Sequence, residues 1–228
     1  MRAWELGARA TAARLLAGRA PLALVLGVAL AALAAYLERR AGGSGAVDRA
    51  LTRDSFGLLL PLVGYGTYQR ATLGGRLDAT ARIVSRHGAR GREAWLGAAL
   101  TPTALLMLLG MSFALVTVLF ARGANDPGLL RDLWQSAWIG ALAGAGYGAW
   151  LALGSDLGRA GSGRKWILLG DLLLGSSTGS LALVWPRAHV RNLLGGEPAL
   201  DLAQGTALAA LLLSTLFAAL VALRRVRD

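Results

Sequence analysis

Six stretches of this chain are almost free of charge, and short arginine-bearing segments separate them. They cover residues 20–37, 55–69, 94–121, 133–155, 166–186 and 202–223, and only Asp171 interrupts one of them. An uncharged run of about 20 residues, rising about 1.5 Å each, matches a hydrocarbon core about 30 Å thick. Only helices and closed barrels can cross lipid, because every backbone polar group must find its partner internally. The runs are continuous in Leu, Ala, Val and Gly and show no alternation of apolar with polar residues. They therefore predict an all-α, polytopic membrane protein with six transmembrane helices. The expected spans lie at about 20–37, 53–70, 95–121, 133–154, 166–186 and 202–223.

That reading leaves little chain outside the membrane. With 228 residues, 55% of them hydrophobic, the whole of 1–228 reads as a single transmembrane domain. There is no cysteine, which excludes disulfides and thiolate chemistry. A net charge of +11 would suit nucleic acid. Here, however, the cations sit in the segments between spans, where they fix topology and meet lipid phosphates. No nucleic-acid partner is expected. Arg2, Arg9, Arg14 and Arg19 precede a run long enough to be retained as a first span.

Of the 24 Lys and Arg residues, 16 fall in the N-terminal segment, the 70–92 and 156–165 loops and the C-terminal tail. Only 8 fall in the 38–54, 122–132 and 187–201 loops. The bias places the first set, and both termini, in the cytoplasm.

The 70–93 segment carries the richest polar pattern. Residues 76–86 read as a short amphipathic helix. Leu77, Ala81 and Val84 share one face, opposite Asp78, Arg82, Ser85 and Arg86. Asp78 and Arg82 stand four apart in the favourable acid-first order. Gly74, Gly75 and Gly88 bracket the segment as helix breakers. Two readings follow: a connector lying on lipid headgroups, or a contact surface for a cytoplasmic partner. Residues 1–19 suggest an interfacial helix, with Trp4, Ala8 and Leu15 aligned opposite Arg2, Glu5 and Arg9.

Inside the spans, Gly140, Gly144 and Gly148 recur every four residues, a spacing that lets helix backbones approach closely, within the chain or at a subunit interface, the former being preferred. Asp171 is an intramembrane carboxylate and hence a functional candidate. A pairing with Arg164 or Lys165, which are near it along the chain, or with the interface is the alternative. Chemistry is otherwise sparse. His87 and His189 are the only histidines, and no paired-histidine, HExxH or Walker A spacing occurs. Gly175-Ser176-Ser177-Thr178-Gly179 resembles a nucleophile loop only superficially. No metal site and no catalysis by this chain alone are expected.

Together these features resemble the membrane subunit of a bacterial ATP-binding-cassette transporter of the type-2 exporter family. Arg90-Gly91-Arg92-Glu93, leading into Ala94-Trp95-Leu96-Gly97, is similar to the family's basic approach to its third span. Gly154-Ser155-Asp156-Leu157-Gly158-Arg159 is similar to its short loop after the fourth. Trp185-Pro186-Arg187-Ala188-His189 and Leu193-Leu194-Gly195-Gly196 are similar to its irregular outer segment before the last. The resemblance implies a permease of the bacterial cytoplasmic membrane, with residues 76–86 as the coupling helix. Leu77, Asp78, Ala81, Arg82, Val84 and Arg86 would then contact the ATPase. It also implies a second permease chain, identical or homologous, and cytoplasmic ATPase subunits that carry ATP and Mg. This chain would hold no cofactor and would not be an enzyme. A membrane scaffold and an intramembrane enzyme acting on lipid are the other classes that the residues leave open.

Overall fold

The structure is a computed structural model describing residues 2–42, 45–85, 90–123 and 128–226. Its described residues form helices and turns, without strands. In chain order the helices are α1 (Ala3–Leu16), α2 (Ala20–Ala41), α3 (Ala46–Arg49), α4 (Leu60–Ala71), α5 (Leu77–Ser85), α6 (Gly91–Ala121), α7 (Leu129–Ser155), α8 (Gly163–Leu174), α9 (Pro186–Leu193) and α10 (Gln204–Arg225). A π-type helix, Ala50–Leu59, joins α3 to α4.

Among the described residues four helices are long and apolar enough to cross a membrane: α2, α6, α7 and α10. They make this a multi-pass membrane protein by length and composition. α7 stands at the centre, with 72% of its apolar window buried, against 17% for α2 and 22% for α10. The outward faces of α2 and α10 carry Leu22, Val25 and Leu26, and Leu213, Leu216 and Phe217. Such a large exposed apolar surface suits lipid and not water.

Two of the uncharged windows fold differently from a simple span. Residues 55–69 belong to a helical stretch running from 46 to 71. Its π-type part ends just before Pro61. In that register the Leu60 N–H donates to the Ser55 carbonyl five residues back. The next donor in line would be residue 61, and proline has none. The other window, 166–186, breaks after Leu174. The Gly175–Gly179 run supplies poor helix formers. Pro186 then opens α9, and Trp185 before it is extended at φ −100°, as a residue preceding proline prefers. The chain turns back on itself here, because a Cβ at Gly170 would lie 2.2 Å from the Trp185 ring. At about 1.5 Å per residue, α8 rises only about 18 Å.

The α1 helix lies across the start of α6 with their backbones nearly touching. A Cβ at Gly97 would stand 1.9 Å from the Trp4 carbonyl, and one at Gly7 would stand 2.0 Å from the Ala94 carbonyl. The buried stripe of α1 is therefore Ala3, Gly7, Thr11 and Leu15. Of the aligned Trp4, Ala8 and Leu15, Leu15 is buried and Trp4 is 45% exposed. Gly7 and Gly97 allow the close approach. The end of α10 reaches the same region, where Arg92 donates to the Val226 carbonyl at 3.4 Å. Both α1 and the end of α10 thus sit at the α5 end of the molecule.

Candidate functional site

The α5 end is held together by one carboxylate. Asp156 follows α7 directly and is 3% exposed. Its Oδ1 accepts the backbone N–H of Asp78 at 2.9 Å, in the first turn of α5. Its Oδ2 accepts the indole N–H of Trp95 at 2.7 Å, near the start of α6. An anion at a helix start meets unpaired N–H groups and the positive end of the helix dipole. Burial nevertheless raises the Asp156 pKa above its ordinary value; the two hydrogen bonds oppose that rise.

Two arginines complete the assembly. Arg14 of α1 donates to Thr80 Oγ1 at 2.8 Å and to the Ala71 carbonyl at 2.9 Å, so it ties α1 to α5 and to the end of α4. Arg164, at the start of α8, is 1% exposed. It donates to Thr72 Oγ1 at 2.7 Å, to Gln69 Oε1 at 3.0 Å and to Ser155 Oγ at 3.2 Å. A Cβ at Gly161 would meet the Gly75 carbonyl at 2.8 Å. The two loops at this end, 72–76 and 156–162, are thus packed directly on each other.

This packing corrects the expected partner face of α5. Leu77 and Ala81 are 0% and 1% exposed, so they belong to the protein's own core beside α1 and α6. They are not available to a partner's groove. Asp78 is engaged by Arg76 at 3.2 Å and by Arg82 at 3.4 Å. Among the described side chains of α5, those exposed are Arg82 and Ile83, the latter 55% exposed. Arg86 and His87 lie outside the described residues, as does the Val84 side chain.

Asp171 sits in a second, separate polar centre. It is 1% exposed. Its Oδ2 accepts the Tyr147 hydroxyl at 2.8 Å, and its Oδ1 accepts the Arg187 backbone N–H at 3.2 Å. The Tyr147 hydroxyl also lies 3.5 Å from the Phe56 carbonyl. In the π register that carbonyl's partner would be the N–H that Pro61 lacks. The Arg187 guanidinium closes the cluster, since a Cβ at Gly57 would be 2.9 Å from its Nη2. The centre joins the π-type helix, α7, α8 and α9. Neither Arg164 nor Lys165 pairs with Asp171: Arg164 is directed to the α5 end, and Lys165 is exposed.

The glycine stripe is spent inside the chain. A Cβ at Gly140 would fall 2.3 Å from the Gly110 carbonyl, and one at Gly144 would fall 2.3 Å from the Leu106 carbonyl. One at Gly148 would fall 2.6 Å from Thr103 Cγ2. The three glycines seat α7 against α6 and do not face outward.

His189 is buried, with its Nε2 at 2.8 Å from the Leu183 carbonyl, which suits a structural role. Among the described residues no three His, Asp or Glu side chains come together as metal ligands. The residues that sequence reasoning missed are Asp156, Trp95 and Tyr147. Only Asp156 gave a signal, as an acid directly after an apolar run. The chain matches no protein-family model, and neither curated proteins nor solved structures give a match.

Proposed function

We propose that this chain is the membrane subunit of an ATP-binding-cassette transporter. It would form the translocation pathway beside a second permease chain, identical or homologous. ATP and Mg would be bound and used on separate cytoplasmic ATPase subunits. In this reading the α5 end faces the cytoplasm, as the arginine bias expects. The 46–71 helical stretch is the second crossing, and the folded-back α8–α9 segment takes the place of the fifth.

The observation that carries the reading is the anchoring of α5. A coupling element must pass displacement from a partner to the membrane helices. Asp156 links the start of α5 to α6 and to the end of α7, while Arg14 links its middle to α1. Force applied to the outward face at Arg82 and Ile83 would reach three helices through short hydrogen bonds, of which the Trp95–Asp156 bond is buried. A mere headgroup-lying connector has no need of such bracing.

Co-purification tests the proposal. Ile83→Asp combined with Arg82→Glu is expected to remove an ATPase that co-purifies with the parent chain, while the variant still inserts and keeps its melting temperature. An ATPase retained at the same stoichiometry, or no ATPase with the parent, overturns it. The absence of any ATPase would turn attention to a membrane scaffold.

A further inference from the structure

An open groove runs beside the elbow between α1 and α2. It encloses roughly 390 Å³, and its walls include Ala23 of α2, Leu62, Val63 and Gly66 of α4, and Leu105 of α6. Arg19 and Arg70 stand at its α1 end. The groove exists because its walls are trimmed at two points. Ala23 is small and exposed, and a Cβ at Gly66 would meet no atom within 4 Å.

The two arginines differ in how they are held. Arg70 donates through Nε to the Arg14 carbonyl at 3.1 Å and through Nη2 to the Ala17 carbonyl, which fixes the elbow. Arg19 is exposed, and among the described residues no side-chain hydrogen bond or ion pair holds it. The result is a slot that is apolar along the span and cationic at one end, at the level where the chain leaves the apolar zone. A phospholipid has the same division, with a phosphate at the interface and hydrocarbon beneath it.

We propose that this groove is a binding site for one anionic phospholipid, with an acyl chain along Gly66 and Ala23 and the phosphate at Arg19 and Arg70. The site needs only the membrane location, so it stands or falls separately from transport.

The test uses the purified full chain in neutral detergent. Native mass spectrometry measures binding of phosphatidylglycerol and of phosphatidylcholine with the same acyl chains. The parent is expected to hold one phosphatidylglycerol more tightly than phosphatidylcholine. Arg19→Gln should weaken phosphatidylglycerol about fivefold, the weight of one arginine near an anionic surface, and weaken phosphatidylcholine less, because its choline cation offsets the phosphate charge. Gly66→Leu should fill the groove and lower the affinity for both lipids. Its melting temperature without lipid reports folding. Ala23→Leu fills the same space from α2 and replaces it if that temperature falls. Undiminished phosphatidylglycerol binding in a folded groove-filling variant, or equal affinity of the parent for the two lipids, overturns the proposal.

Discussion

The indole of Trp95 and the carboxylate of Asp156 meet at 2.7 Å in a buried contact that ties the start of α6 to the residue after α7. The second oxygen of the same carboxylate holds the start of α5. One side chain therefore sets the relative position of three elements.

Asp156→Ala leaves the indole N–H and the Asp78 backbone N–H without their acceptor in a buried place. We expect a loss of about 1–3 kcal/mol, read from denaturant or thermal unfolding in detergent. Asp156→Asn keeps one acceptor oxygen and should cost less than the alanine.

The pH dependence has a definite sign. Burial raises the Asp156 pKa above its ordinary 3.8 in the folded chain. Between 3.8 and the raised value the folded state binds more protons than the unfolded one. The contribution of this group to stability is thus fully present below 3.8 and is lost as pH rises through the raised value. Melting temperatures across the acidic range should show this slope in the parent and lose it in Asp156→Asn.

On α5 the two apolar positions should behave oppositely. Leu77→Ala opens a cavity at a fully buried site and should cost about 2–5 kcal/mol. Ile83→Ala, at an exposed site, should fall within about 0.5 kcal/mol of the parent. Matched unfolding curves for the two variants check the assignment of faces.

The Tyr147–Asp171 contact invites a double-mutant cycle. Tyr147→Phe leaves the Asp171 Oδ2 without its hydroxyl, and Asp171→Leu leaves the Tyr147 hydroxyl and the Arg187 backbone N–H unmet. The pair together should cost less than the sum of the singles, by about 0.5–3 kcal/mol. Additive losses would show that the 2.8 Å contact carries no coupling.

Gly144→Ala would place a methyl group 2.3 Å from the Leu106 carbonyl, where only backbone can yield. We expect a loss of about 1–3 kcal/mol or more, as for other overpacked interiors. Gly66→Ala meets open space and should be neutral or slightly stabilising, since alanine favours helix. Unfolding midpoints of the two variants should separate clearly.

Hydropathy alone made α2, α6, α7 and α10 legible, because each is a long run with one continuous environment. It could not see the break after Leu174, because Gly175, Ser176, Ser177 and Thr178 scarcely disturb an apolar average while they disfavour helix strongly. The amphipathic pattern of 76–86 was equally visible, but a pattern tells that a face will be covered and not by what. Here α1 and α6 cover Leu77 and Ala81 within the chain. Nearness in sequence is a poor guide to the partner of Asp171. Lys165 is close along the chain, yet the carboxylate turns to Tyr147 and to the backbone at Arg187, which a turn brings back to it.

The close seating of α6 and α7 has a mechanical consequence. Where Gly110 and Gly140 stack carbonyl against Cα, no side chain stands between the helices to change rotamer and let one slip past the other. The pair should behave as a single stiff beam. Any change in the shape of the molecule would then move the other elements around that beam.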